Sequence, residues 1–287
     1  AFPRQLGDRV GRAVDVVSVV AAATGQRVDA LAADQHVVVG AAQQRVGCAA
    51  AVEAVVAAFA GHHKLIAISV DDYLTDFLVG KEITEIEDIW QTSQVQSSWR
   101  NDPALNCALS AMDQALWDIA GKKLGVPIYQ LLGGAVRDRI RIYGHVNGGD
   151  PWDYGNPNLL IENLLKTTQI QLDRGLNAIK FNPATILENI DSPKVLKEIV
   201  HRVVVVRDFV GDDVDIMLDF HGRFSLAMSR RIFPMLEHLN LMFIEEPVAP
   251  EYTSHFELIV NSTSIPIATG ERLFDRSEYK DLLRTGI

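Results

Sequence analysis

Cysteine is nearly missing from this 287-residue chain. Cys48 and Cys107 are too far apart for a CxxC redox or zinc motif and too few for a disulfide framework, so a reducing, cytoplasmic setting is expected. Basic excess is missing as well: 27 Lys and Arg stand against 37 Asp and Glu, a formal net charge of −10. That balance excludes the electrostatic footprint of a nucleic-acid or anionic-membrane partner. An anionic ligand would need its charge met locally, by a side-chain cation or a bound metal. Long apolar runs are also lacking, because Asp, Gln, Arg and His interrupt the Ala/Val stretches well before the roughly 18–20 residues that a membrane span needs. The opening Ala1-Phe2-Pro3-Arg4 has no basic region followed by an apolar stretch, so a secretory signal is not expected.

What is present is the composition of an ordinary globular chain, 48% hydrophobic and 22% charged, long enough for one barrel or two unequal domains. Three textures follow one another. Residues 1–63 are rich in Ala, Val, Gln and Arg, with runs such as Val37-Val38-Val39. They fit neither strand alternation nor a helical stripe and stay unassigned. Residues 64–139 read as helices. The clearest runs from about Leu105 to Lys123, with Leu105, Ala108, Leu109, Met112, Leu116, Ile119 and Ala120 three or four apart. Asp102-Pro103 makes a start signal and Gly125-Val126-Pro127 a stop.

Residues 140–287 alternate short apolar runs with longer amphipathic stretches. The expected strands are Ile140–Val146, Ala178–Phe181, Asp215–Phe220, Leu241–Glu246 and Ile265–Ala268. This βαβα order predicts an α/β fold with a parallel sheet and crossover helices. Polar or glycine-rich residues follow each strand, as in Asn147-Gly148-Gly149 and His221-Gly222-Arg223. Active sites collect at such C-terminal strand ends in TIM-type barrels.

Asp219, Glu245 and Glu271 close three successive expected strands at equal spacing. One strand, one helix and two short loops fill that interval, so the three carboxylates are expected side by side on one rim. Three converging carboxylates in a partly dry pocket call for a cation, and an all-oxygen set suits Mg²⁺, with Mn²⁺ as a close substitute. Glu246 competes with Glu245, but neighbouring strand residues point to opposite sides and the spacing favours Glu245. His221, two residues beyond Asp219, projects to the same side if the chain stays extended, and could move a proton there. Lys180 is a second catalytic candidate, as a base or an anion-binding cation. Asn182, Arg223 and Arg272 are candidate substrate-binding residues, with pairing to rim carboxylates as the alternative for the arginines.

Asp219-Phe220-His221-Gly222-Arg223, Phe243-Ile244-Glu245-Glu246-Pro247 and Ile267-Ala268-Thr269-Gly270-Glu271-Arg272 resemble the metal-binding strand ends of the enolase superfamily, mandelate racemase branch. Their nearest likeness is to sugar-acid dehydratases of the galactonate type. Ala111–Ile119 and Leu131-Leu132-Gly133-Gly134 are similar to the family's helix and linker before the barrel. The resemblance covers about Lys64 to Ile287. It implies a partial TIM-type (β/α) barrel of about five of the eight strands, preceded by the mainly helical part of an α+β capping domain. It also implies Mg²⁺-dependent α-proton abstraction from an aldonate such as galactonate, gluconate or mannonate, with loss of the β-hydroxyl to give a 2-keto-3-deoxy acid. His221 matches the general acid for the departing hydroxyl, and the ligands match Asp219, Glu245 and Glu271. A homo-oligomer is expected if the barrel is complete. The family's His–Asp base belongs to strands beyond Ile287, and residues 1–63 do not resemble the family's opening strands, reading rather as a shifted frame or a fusion. Two other readings therefore stay open: a catalytically silent, truncated homologue that binds metal or a partner only, and a racemase or cycloisomerase of the same superfamily.

Overall fold

A computed structural model describes residues 69–78, 80–82, 85–96, 102–146, 157–184 and 187–284. The expectations placed on residues 1–63, on Asn147-Gly148-Gly149 and on Gly286-Ile287 lie outside the described residues. The chain divides into two compact units, residues 1–136 and 137–287.

In the first unit a π-helical turn, Ser69–Leu74, runs into a short α-helix, Thr75–Leu78, and is followed by α1 (Ile86–Gln96) and α2 (Pro103–Leu124). The local signals that predict α2 are the ones that bound it. The Asp102 side chain accepts the Leu105 N–H at 2.9 Å, Pro103 sits in the first turn where no N–H is needed, and Gly125 ends the helix in a left-handed conformation at φ 68°. The buried stripe of α2, including Ala108, Leu109, Met112 and Leu116, packs with Leu74, Ile86 and Ile89 into a small core of its own.

The second unit alternates strand and helix: β1 (Gly144–His145), α3 (Pro157–Asp173), β2 (Ala178–Phe181), α4 (Pro193–Val210), β3 (Asp215–Asp219), α5 (Leu226–Leu236), β4 (Phe243–Glu245), α6 (Phe256–Val260), β5 (Ile267–Ala268) and α7 (Arg276–Arg284). The five strands form one parallel sheet in chain order, each paired with the next. Parallel strands joined by right-handed crossovers in unbroken order put every helix on the same face, which is how a (β/α) barrel grows. Here the sheet is open, as the expected partial barrel requires. Among the described residues no helix is long and apolar enough to cross a membrane.

Alternation along the strands assigns the two faces. Ile179 and Phe181 of β2, Ile216 and Leu218 of β3 and Ile244 of β4 are fully buried and share a core with Leu196, Ile199 and Val203 of α4 and Ile232, Phe233 and Leu236 of α5. The intervening residues Lys180, Met217, Asp219, Phe243 and Glu245 therefore stand on the opposite, inner face. Interstrand register aligns Asp219 with Glu245, and His145 with Lys180.

Three strands are shorter than expected at their starts. Ile140 and Ile142 are 78% and 62% exposed and unpaired, because β1 is an edge strand whose single neighbour begins only at Ala178. Leu241 and Ile265 are buried yet lie ahead of β4 and β5, where Pro266 has no N–H to add to the ladder.

Candidate active site

The inner face ends in a cluster of charge. Lys180 Nζ lies 2.5 Å from Glu245 Oε2 and 3.3 Å from Asp219 Oδ2, bridging the ends of β3 and β4. Asp219 is almost completely buried. Burial works against the Lys180 ammonium, but the hydrogen bond to Glu245, the Asp219 charge and Tyr143 outweigh it and hold the group above the usual lysine range. Lys180 is thus a countercation in this arrangement, with its Nζ 5.2 Å from the centre of the Tyr143 ring.

Beyond Asp219 the chain does not stay extended. His221 and Gly222 both take positive φ, 49° and 66°, so the strand turns sharply. Positive φ is costly for a residue with a Cβ, and neighbours hold His221 there. Its N–H donates to Asp219 Oδ1 at 3.0 Å, its carbonyl accepts from Arg272, and the Gly222 N–H donates to the Glu246 carbonyl at 2.7 Å. The turn still brings the imidazole back over Asp219, with Nε2 3.3 Å from Oδ2. The assumption of extended backbone is corrected, while the proximity it was used to argue for is observed.

Gly222 suits the turn for two reasons. A Cβ there would crowd Arg272 and lie 3.1 Å from Ala249 Cα and 3.2 Å from the Val248 carbonyl, and φ of 66° disfavours any side chain. Gly222→Ala is expected to destabilise the fold by about 1–3 kcal/mol, readable as a lower urea midpoint at unchanged slope.

Glu245 and Glu246 divide as alternation requires. Glu246 is buried with φ 44°, and its Oε1 accepts the Thr269 hydroxyl and the Gly270 N–H, each at 2.9 Å. It ties the end of β4 to the turn that carries Glu271. Glu245 faces Lys180 on the inner side.

Among the described residues, the side-chain donors of Asp219, His221 and Glu271 lie within 4.8 Å of one another. Glu245 stands outside that trio, turned to Lys180. The Glu271 carboxyl is pushed up from its ordinary value by burial first, then by the Asp219 charge, with His221 opposing and Glu245 and Glu246 adding to the rise. Asp219, Glu245 and Glu271 share this rim with the Lys180 ammonium and with Arg272 3.9 Å from Glu271, an excess of negative charge that a hard divalent cation would relieve. The donor set fits such an ion.

The expected substrate-binding residues all lie near the cluster but have protein partners. Arg272 donates to the His221 carbonyl and stands 3.9 Å from Glu271. Arg223 Nη1 donates to the Ala184 carbonyl at 3.2 Å. Asn182 Nδ2 is 3.1 Å from His221 Nδ1, and its Oδ1 accepts the Ala184 N–H at 2.8 Å. Tyr143 and His145 were missed by the sequence reading. Both belong to the inner face, and the His145 imidazole is pushed down by burial and by Lys180, with Asp219 and Glu245 acting the other way. Alternation counted back from Val146 would have singled them out.

Two family models match the chain. "Mandelate racemase / muconate lactonizing enzyme, N-terminal domain" covers residues 32–133 and "Enolase C-terminal domain-like" covers residues 164–287. The chain belongs to the mandelate racemase/muconate lactonizing enzyme family of the enolase superfamily. The N-terminal match begins inside the stretch left unassigned from composition. Relatives of this family member include D-galactonate dehydratases of Variovorax paradoxus, 38% identical over 226 residues, and Verminephrobacter eiseniae, 39% identical over 226 residues. Each alignment takes in 79% of this chain and 56% of the relative, so the chain spans little more than half the length of these curated relatives. Among solved structures, an enolase from Pantoea ananatis with bound D-gluconate and magnesium is 30% identical at a TM-score of 0.63, covering 77% of this chain and 59% of that one. A putative dehydratase from Mesorhizobium loti is 30% identical at 0.70, covering 78% and 60%. A racemase from Streptomyces coelicolor A3(2) with bound magnesium is 27% identical at 0.66, covering 78% and 58%.

Proposed function

We propose that this family member carries the metal-binding half of a sugar-acid dehydratase site, with Asp219, Glu245 and Glu271 as ligands of Mg²⁺. The observation that supports it best is the crowding of these carboxylates, with His221, at the ends of consecutive parallel strands. The relatives named D-galactonate dehydratase and the gluconate- and magnesium-containing neighbour point to an aldonate as substrate. When bound, Mg²⁺ supplies positive charge for the substrate carboxylate, whose oxygens gain charge when the α-proton is removed.

The chain's own residues have the following parts. Asp219, Glu245 and Glu271 would hold the ion, Glu245 exchanging its contact with Lys180 for it. Lys180, paired here with Glu245 and Asp219, would serve as a cation near the substrate's negative charge once those carboxylates turn to the ion. His221 would give a proton to the β-hydroxyl oxygen as its bond to carbon breaks, so that the group leaves as water. Arg223, Arg272 and Asn182 frame the substrate rim while holding the turns that carry His221 and Glu271.

Folded protein is expected to bind one of a panel of hexonates, including galactonate, gluconate and mannonate, when Mg²⁺ is present, and to release it when the ion is chelated. Failure to bind any of them, with Mg²⁺ shown to be bound, would contradict the sugar-acid reading.

A further inference from the structure

Glu246 is a buried acid beside a proposed ligand, and it takes no part in the chemistry described above. Its hydrogen bonds reach all three ligand-bearing strand ends. The side-chain Oε1 accepts the Thr269 hydroxyl and the Gly270 N–H, each at 2.9 Å, and Gly270 immediately precedes Glu271. The backbone N–H donates to the carbonyl of Ala268, the last residue of β5, at 2.9 Å. The backbone carbonyl accepts the Gly222 N–H at 2.7 Å, in the turn that leaves Asp219. Glu245 is its own neighbour in the chain.

These bonds hold a backbone that would not keep its shape unaided. Glu246 has φ 44°, and the two glycines it meets, Gly222 and Gly270, have φ 66° and 131°. A left-handed conformation is costly for a residue with a Cβ and persists only where the surroundings over-determine it. At Glu246 the surroundings are the two turns it fastens, so its side-chain bonds to residues 269 and 270 and its backbone bond to residue 222 support one another. The spacing of the turns that carry Asp219 and Glu271 is thereby set by one buried side chain and not by the proposed ligands themselves, whose like charges push apart.

We infer that Glu246 is a positioning residue that fixes the width of the carboxylate rim, and through it the preference for Mg²⁺ over the larger Ca²⁺. Mg²⁺ demands near-octahedral geometry at short metal–oxygen distances, whereas Ca²⁺ accepts longer distances and irregular shells. A rim whose turns are locked together favours the smaller, stricter ion, and a rim free to spread loses that preference. The ion preference rests on the metal-site reading above. The coupling of the two turns through Glu246 belongs to the protein with or without metal, so the two fail separately.

The test is amide hydrogen exchange of the metal-free full chain, followed by calorimetric titration with Mg²⁺ and with Ca²⁺. Glu246→Ala is expected to speed exchange at Gly222 as well as at Gly270, although Gly222 is bonded to a backbone carbonyl that the substitution keeps. It is expected to weaken Mg²⁺ binding by about 10–100-fold, the usual effect of losing an outer partner of a ligand, and Ca²⁺ binding by less. Glu246→Gln keeps an acceptor oxygen in the same place and is expected to retain both the exchange rates and the ion preference. Thr269→Val removes one of the two donors to Oε1, is expected to move both readings the same way by a smaller amount, and decides the matter if Glu246→Ala does not fold. Unchanged exchange at Gly222 in the folded variants, equal weakening of Mg²⁺ and Ca²⁺, or a Glu246→Gln protein that behaves like Glu246→Ala would overturn the inference. A wild-type chain that takes up neither ion would contradict the metal-site reading and the ion preference with it, while the exchange rates would still decide the coupling.

Discussion

Asp219→Asn is expected to lower the affinity of this chain for Mg²⁺ by more than about 100-fold, since even an outer-shell partner of a metal ligand is typically worth 10–100-fold. Asp219 is the most constrained of the three proposed ligands. It is buried, its Oδ1 accepts the His221 N–H, and its Oδ2 faces both Lys180 and the His221 ring. Asparagine keeps the shape and one oxygen but removes the charge that makes the position attractive to a divalent cation. Lys180→Met should act in the opposite direction. The ammonium bridges Asp219 and Glu245, so an ion that uses both carboxylates must displace it or share them with it. Removing that competitor leaves one buried and one half-buried carboxylate in need of a cation, and Mg²⁺ should bind more tightly. Calorimetric titration of both variants checks the pair of signs. If Asp219 served only to hold the turn, Asp219→Asn would leave the Mg²⁺ affinity unchanged.

Arg207→Leu is expected to cost roughly 3 kcal/mol or more of folding stability, since each buried carbonyl left without its donor costs about 1–3 kcal/mol. Arg207 lies in the last turn of α4 and is 8% exposed. Its Nε donates to the Leu239 carbonyl at 3.1 Å, Nη1 to the Gly211 and Val214 carbonyls at 2.8 Å each, and Nη2 to the Asn240 carbonyl at 3.1 Å. One guanidinium thus closes the α4–β3 loop and fastens it to the chain entering β4, setting the register in which Asp219 meets Glu245. Leucine would fill part of the volume but leave four carbonyls without their donor. Arg207→Lys keeps the charge, but a single ammonium cannot span acceptors arranged for a planar fork, and it should recover only part of the loss. Urea denaturation of the two variants, compared at constant slope, checks both.

How much of this was legible beforehand follows from how local each determinant is. The bounds of α2 could be read because its cap, first-turn proline and terminal glycine are contiguous in sequence. The β2 and β3 runs could be read because their outer residues are apolar and pack against the buried faces of the helices, and Ala178–Phe181 has the expected bounds. Equal spacing of Asp219, Glu245 and Glu271 reflects the repeat length of a βα unit, so their common rim was visible too. The edge strand was over-extended because apolar Ile140 and Ile142 look like strand residues to any local reading, and only the lack of a paired neighbour among the described residues says otherwise.

Long-range partners were not legible. That Arg207 gathers carbonyls from two loops, that Glu246 clamps Thr269 and Gly270, and that Asn182 meets His221 across the sheet all depend on positions far apart in sequence. The positive φ at His221 likewise arises from Arg272 and Glu246, which no pattern around residue 221 contains. Family membership supplied what local physics could not, the chemistry for which such a rim is used.

The most direct test of the proposed metal centre is diffraction from crystals of this chain grown with Mn²⁺, read at a wavelength where the ion scatters anomalously. An anomalous peak bounded by the carboxylates of Asp219, Glu245 and Glu271, with Lys180 turned away and His221 Nε2 outside bonding distance, is the predicted result. A peak held by His221 Nε2, or density at this rim with Lys180 still bridging Asp219 and Glu245 and no ion present, would contradict it.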